Sequence, residues 1–479
     1  MLRLTAISAA LAWAVFQAGG VVPFHWRIAT LAIALVALFS LRTPGLAKPL
    51  LWPTLLFPAY ALFQLLPLPL AVLRLISPAR AAQLEATQKL VPGISTAPLS
   101  VKPAATLEFF LVIAACTMLF LIVRYIADHA TTRRQATSHR PRARGDEPQA
   151  TGWFLAAPLV IIASLEAILG LFQFYLNSGQ IPSHGTYVNR NHFAGLLEMA
   201  LPFALMYSVA VLRRNRSRWS SPLRPALVAC AGCSVAALLL LGTIHSLSRM
   251  GFVCAVFSVL LCGVFSVSGV KRLVPVAALG LLLFVFLPSD QLIERFGSLD
   301  FSDGLTRQDR LELWRETLPL IAAYPVFGCG LGGYESAFMP HKISGPLVTD
   351  DYAHNDYLQS LAELGLAGFT IIAVLIAAVL FQAIRAAIRH AAPDGRALAT
   401  ACVASIAAIL LHSVVDFNLY IPANALVLAW VSAIASAAMF SSPSIPAAHA
   451  PVPQVLETTC ETVTAAKFHM RRACFRCMI

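Results

Sequence analysis

Apolar stretches long enough to cross a hydrocarbon core recur along most of this chain, and nothing else limits its fold as tightly. Taking a core about 30 Å thick, the stretches number about twelve, running from Thr5–Val22 to Ile421–Phe440, with Leu273–Leu287 as the ninth. So many spans cannot all be buried around one soluble core. The composition agrees: 58% of the 479 residues are apolar and 12% are charged, against about 25% charged in soluble domains. The expected fold is therefore all-α, a polytopic membrane protein of about twelve transmembrane helices. Residues 1–440 form the membrane domain, and residues 441–479 are expected to be a disordered cytoplasmic tail. The first span resembles a signal peptide, but no small-residue cleavage site precedes Val22 and another span follows at once, so it reads as an anchor.

Threading the spans alternately from a cytoplasmic Met1 gathers the basic residues on one side. The Met1-side connections hold Arg133, Arg134, Arg140, Arg142 and Arg144, then Arg213, Arg214, Arg216, Arg218 and Arg224, then Lys271 and Arg272, then Arg385, Arg389 and Arg396. This is the positive-inside pattern, so the net charge of +12 is a topology signal. A nucleic-acid partner would need a soluble basic domain, which this reading does not provide. Six cysteines (Cys116, Cys230, Cys233, Cys254, Cys262 and Cys402) fall in apolar spans, where the residue acts as a small hydrophobe. Only Cys329 falls in an outer loop, so outer loops are not joined by a disulfide. The tail pair Cys474 and Cys477 lacks a second ligand pair and does not make a metal site.

Two outer loops are long. Pro67–Ala105 reads as an amphipathic connector at the interface. The second, about residues 288–358, has acidic residues outnumbering its five basic ones (Arg295, Arg307, Arg310, Arg315 and Lys342). An anion there would have to be held by individually placed arginines. Within DRLELW, Asp309 reads as a helix cap, and Trp314, Leu318 and Ile321 form an apolar stripe. Arg310 thus lies in a first turn, at the unfavourable end of the helix dipole, and needs a partner. That partner is either Glu312 or Glu316, or an anionic ligand. Gly328, Gly330 and Gly333 match GxGxxG, but no adequate strand precedes them and no helix pattern opens there, so dinucleotide binding is discarded.

His354, Asn355 and Asp356 sit immediately before a long apolar run. The trio reads either as a helix cap beside a solvated histidine or as an ionisable group doing chemistry at a membrane surface. The threading places YVNRNHF (Tyr187–Phe193), SLSRMG (Ser246–Gly251) and Asp416 with Asn418 on the same side. Arg190, Arg249, Arg310, His354 and Asp416 together have the makings of an anion site with a base beside it. Glu166 and Glu198 lie within spans and read as paired inside the bundle.

YVNRNHFAGLLEMALPF, SLSRMG, RLELWRETLPLIAAYPVFGCGLGGYESAF and AHNDYLQSLAELGLAGF, in that order, resemble the O-antigen ligase and polymerase superfamily, which includes protein O-oligosaccharyltransferases. The resemblance runs from about Leu51 to Phe440. It implies a bacterial inner-membrane glycosyltransferase with a GT-C-like helical fold and an active site facing the periplasm. It further implies a glycan donor carried on a polyprenyl diphosphate, with no nucleotide sugar, cofactor or metal. By motif, the essential histidine falls on His354 and the two diphosphate-binding arginines on Arg249 and Arg310. Asn189, Arg190, Asn191, Asn355, Asp356 and Asp416 are supporting candidates, with Asn355 or Asp356 as possible orienters of the imidazole.

The chemistry fits that assignment. Attack of a sugar hydroxyl on the anomeric carbon needs a base for the proton and charge stabilisation for the departing diphosphate. An imidazole supplies the first, and paired guanidiniums supply the second. Direct attack inverts the anomeric configuration. The acceptor is a growing glycan, lipid A-core or a protein. A bicarbonate-type transporter is the reading from a different class, but it should carry its ionisable groups near mid-membrane rather than at one face.

Overall fold

The computed structural model describes residues 1–40, 46, 48–137, 152–214, 223–266, 307–344, 349–390 and 392–437. The expected ninth span, the tail, the core of the basic insert at 131–149 and residues 288–306 of the second loop lie outside them. The described residues are helical almost throughout: α1 (Leu2–Phe16), α2 (Pro23–Leu38), α3 (Lys48–Phe63), α4 (Leu70–Ile76), α5 (Pro78–Leu90), α6 (Pro103–Thr137), α7 (Trp153–Leu176), α8 (Arg190–Arg213), α9 (Leu223–His245) and α10 (Arg249–Ser266) precede the second loop. In that loop lie α11 (Arg307–Ala323) and α12 (Tyr334–Phe338), followed by α13 (Asp356–Arg389), α14 (Pro393–His412) and α15 (Pro422–Ala435).

Among the described residues, seven helices are long and apolar enough to cross a membrane: α6 to α10, α13 and α14. With the shorter apolar helices α1, α2 and α15 beside them, the chain is an all-α polytopic membrane protein. The helices α1, α2, α3 and α15 run 14–16 residues, short of the roughly 20 needed for a complete crossing.

α8 and α14 form the centre. Their apolar windows are 78% buried, against 22–44% for the other five. The reason is side-chain size: Ala397, Ala399, Ala401, Ala404 and Ala408 on α14 are buried, and Ala194 on α8 lies against Gly251 of α10. Small residues let helix backbones approach closely where lipid supplies no hydrophobic drive between helices.

Loop contacts show which helix ends lie together. Ser183 N donates to His245 O at 2.8 Å, Tyr187 Oη to Asn424 Oδ1 at 3.0 Å, and Asp356 N to Ser413 O at 2.9 Å. Residues 183–192, 245–251, 353–359 and 412–424 therefore share one end. Glu166 and Glu198 are engaged within the bundle: Glu166 accepts from Thr186 N and Oγ1, and Glu198 meets His412.

The segment Pro67–Ala105 is more than a connector. A short antiparallel pair, Pro67–Pro69 with Thr96–Pro98, brackets α4 and α5. This unit docks on the second loop. Val101 N donates to Cys329 O at 2.9 Å, Gln83 Nε2 to Tyr324 Oη at 2.9 Å, and Lys102 pairs with Glu335 at 2.8 Å.

The glycine-rich turn after α11 has a mechanical role. It docks by backbone against a kink in α13, where Gly365 takes φ 61°, ψ −174°. Cys329 N donates to Ala362 O and Gly330 N to Glu363 O; Leu366 N and Ala367 N donate back to Pro325 O and Val326 O. A Cβ on Gly365 would lie 2.4 Å from the Val326 carbonyl, and one on Gly328 would lie 2.2 Å from Glu363 O. Both glycines also hold a left-handed conformation. Gly365→Ala should therefore destabilise the protein by more than about 1 kcal/mol, seen as a lower unfolding midpoint in detergent; an unchanged midpoint would deny the interlock its structural role.

Candidate functional site

His354 is placed by the residues on both sides of it. Trp314 Nε1 on α11 donates to Ala353 O at 2.9 Å, while Gln359 Oε1 on α13 accepts from Ala353 N at 2.7 Å. Asn355 caps α13, its Oδ1 accepting from Tyr357 N and Leu358 N at 3.0 and 3.1 Å. Between these fixed points His354 takes a left-handed conformation, φ 49°. A non-glycine residue there is strained by about 1–3 kcal/mol and persists only where its surroundings overdetermine it. The trio is thus both a cap and a partly exposed imidazole, on different residues.

Asp416 is the group that faces the imidazole, with Oδ1 3.9 Å from His354 Nδ1. Asn355 is occupied as the cap. The Asp356 carboxylate accepts from Ser413 Oγ at 2.6 Å and Leu419 N at 3.2 Å. Asp356 therefore braces the 413–419 loop that carries Asp416. Asp416 is 1% exposed, and its Oδ1 accepts from Phe417 N at 2.9 Å. Burial opposes its charge, but His192, His412 and His354 outweigh that and hold the carboxyl below the usual range.

Arg249 opens α10. The SLSRMG turn before it has Leu247 at φ 56°, Ser246 Oγ accepting from Ser248 N, and Ser248 Oγ accepting from Gly251 N. The two serines satisfy donors at the start of the helix. The guanidinium is left at the positive end of the dipole, close enough to Arg310 for the two charges to repel. Glu316 is engaged by Ile343 N and Ser344 N at 3.1 and 2.7 Å. Arg310 Nε is buried and meets no hydrogen-bond partner among the described residues. Arg310 also acts electrostatically on His354. Four of the expected residues, His354, Arg249, Arg310 and Asp416, are thus brought into one cluster.

The NRNH segment reaches this cluster through a residue that the sequence reading passed over. Asn189 caps α8, accepting from Asn191 N at 2.8 Å, and Arg190 and Asn191 form the first turn. His192 follows, with Nε2 3.5 Å from Asp416 Oδ1. Asn424 Nδ2 donates to His192 O at 3.0 Å and to Asn418 Oδ1 at 3.1 Å, tying α8 to the start of α15. The signal was the imidazole inside a quoted motif; its place beside Asp416 depends on contacts more than 200 residues apart. Phe417 and Tyr352 were missed as well. Their rings stack at 4.2 Å, and burial pushes the Tyr352 hydroxyl up to about 12, so it stays neutral beside the site.

The His354 imidazole is held below its ordinary value. Burial is the largest cause; Arg310 and His192 act the same way, while Asp416 and Asp350 act against it. The ring is therefore neutral near neutral pH and able to accept a proton. Deeper in the bundle, Glu198, Cys254 and His412 come within 4.8 Å of one another, a set that a metal ion could use. Here His412 Nδ1 lies 3.1 Å from both Glu198 oxygens, so the ring and the carboxylate engage each other.

Helices long and apolar enough to cross a membrane, with an imidazole and two guanidiniums gathered at one end, define a multi-pass membrane protein with a candidate site there. Residues 234–373 match the family model described as O-Antigen ligase, a match that supports the O-antigen ligase superfamily. That family implies a glycosyltransferase-like ligase activity on glycan and lipid-linked substrates in a membrane. No curated protein matches the chain. The matched segment contains Arg249, Arg310 and His354; His192 and Asp416 come from outside it.

Trp314→Phe keeps the packing of an aromatic ring but removes the donor to Ala353. It should slow glycan transfer by roughly fivefold, as expected for one hydrogen bond of about 1 kcal/mol, with the protein still folded by size-exclusion profile. Wild-type turnover would show that Ala353 needs no such clamp.

Proposed function

We propose that this protein transfers or polymerises a glycan from a polyprenyl-diphosphate-linked donor at the periplasmic face of the bacterial inner membrane. The reading is carried by the neutral, strained His354 beside buried Asp416, with Arg310 and Arg249 adjacent. In this reading His354 takes the proton of the acceptor hydroxyl as the hydroxyl oxygen attacks the anomeric carbon. The bond from that carbon to the diphosphate breaks, and its electron pair leaves with the diphosphate. Arg249 and Arg310 hold the charge that develops there, each guanidinium offering two parallel donors to phosphate oxygens. The resulting imidazolium is stabilised by Asp416. A single displacement inverts the anomeric centre and needs no metal.

An apolar cavity of about 210 Å³ supports a lipid-borne donor. It is lined by Phe57, Phe109, Ile113 and Ile372 and, from the same loop as Asp416, by Leu419 and Tyr420. A polyprenyl chain fits that lining. The clustering of ionisable groups at one end favours the enzyme over a transport path. Among acceptors, a growing glycan or lipid A-core is preferred to a protein on the superfamily match alone.

Two outcomes test this reading with purified protein and lipid-linked donor. His354→Ala should abolish transfer while leaving insertion and abundance unchanged, and the wild-type rate should fall only below about pH 6.5, because the depressed base stays unprotonated down to its own titration. Wild-type turnover in the alanine variant would remove His354 from the site. Arg310→Lys and Arg249→Lys keep charge but lose the planar fork, so each should still be impaired; alanine should cost about 2–4 kcal/mol, roughly 30-fold to nearly 1,000-fold. Full activity of Arg310→Ala would leave that residue without a role in donor binding.

A further inference from the structure

Asp416 Oδ1 is approached by two imidazoles. His354 Nδ1 lies at 3.9 Å and His192 Nε2 at 3.5 Å. Both nitrogens are buried, and neither makes a well-formed hydrogen bond among the described residues. Both rings stand edge-on to Phe417, with centroids at 4.8 and 4.7 Å and interplanar angles of 81° and 75°. The arrangement is graded in exposure: the side chain of His354 is 25% exposed, that of His192 5% and that of Asp416 2%. The base thus faces outward, and a second ring stands behind the carboxylate it uses.

A histidine packed into a core ordinarily satisfies its polar nitrogens with nearby backbone or water. His192 instead directs Nε2 at the one oxygen that the base also faces. Its backbone is fixed there by Asn424, and Gly195, one turn on, leaves room for Asn418. We propose that His192 is a positioning residue for His354, acting through Asp416: the two imidazoles share one carboxylate oxygen, and the share taken by His192 sets how firmly His354 holds a proton. This rests on His354 being the base.

The remaining charged neighbours are shared by any variant at position 192. His354 is faced by Asp416, Arg310 and Asp350. Asp416 is faced by His412 and His354 as well as His192, and it lies beside Asp356. When His354 takes the acceptor proton, Asp416 turns its field toward the new imidazolium and loosens from His192. When that proton returns to water, His192 regains its share. No proton need pass to His192 for this to work.

The sign of the effect follows. Removing the donor at position 192 frees Asp416 to stabilise imidazolium at His354, so the base protonates at higher pH. His192→Leu should move the acid limb of the kcat/KM profile up by about half a pH unit or more, with the plateau above the limb reduced far less than the rate at pH 6. His192→Gln keeps an N–H donor near the position of Nε2 and should return the limb toward wild type. Asp416→Asn, which removes the shared charge, should move the limb down. If His192→Leu fails to accumulate, His192→Asn, whose amide is too short to reach Asp416, should give the same upward move. A limb that stays in place or moves down in a folded Leu or Asn variant would overturn the proposal. His354→Ala at wild-type turnover would sink the base assignment itself; an inactive His354→Ala with an unmoved limb in His192→Leu would sink only the role of His192.

Discussion

A carboxylate held out of water at the end of an apolar bundle is the constraint around which this site is organised. Leaving Asp416 ionised while 1% exposed would cost several kcal/mol without compensation. Compensation comes from three separate parts of the chain: His192 from α8, His412 from α14 and His354 from the loop before α13. Each of those elements is pinned in turn, by Asn424, by Glu198 and by the Trp314–Gln359 clamp. The electrostatics of one buried side chain thereby fix the approach of helices that are far apart in sequence. The proposed base follows from that solution, since the His354 imidazole that helps to offset the charge is also the one left partly exposed.

The class of the protein was legible because apolar periodicity and length need no tertiary information. The candidates His354, Arg249 and Arg310 lie in short motifs that a sequence displays directly: a cap before a helix, a serine turn and a helix start. What stayed hidden required three-dimensional pairing. Asn355 and Asp356 were candidates to orient the imidazole because they adjoin it in sequence, yet both are committed elsewhere, and the facing group is Asp416. His192 was within a quoted motif, but its meaning depends on a residue more than 200 positions away. The use of the GxGxxG spacing as a docking turn could not be read without the kink at Gly365.

The site also divides along the chain. The segment matching the O-antigen ligase family supplies His354, Arg249 and Arg310, whereas Asp416 and His192 come from its flanks. The matched segment alone would leave His354 without the carboxylate that faces it. Pro67–Ala105 contributes in a different way, bracing Cys329, Tyr324 and Glu335 from the far side of the second loop. Chemistry and scaffolding are thus drawn from most of the described length.

The interlock between the glycine turn and α13 consists of main-chain atoms on both sides. One α3 side chain and the residue after that helix reinforce the joint: Tyr60 Oη donates to Phe327 O and Leu364 O, and Gln64 Nε2 to Phe327 O and Glu363 O. A single carbon added at Gly328 or Gly365 would run into the facing backbone. The spacing of the second loop from α13 is in this way set by peptide groups that pack too closely to admit a Cβ at either glycine.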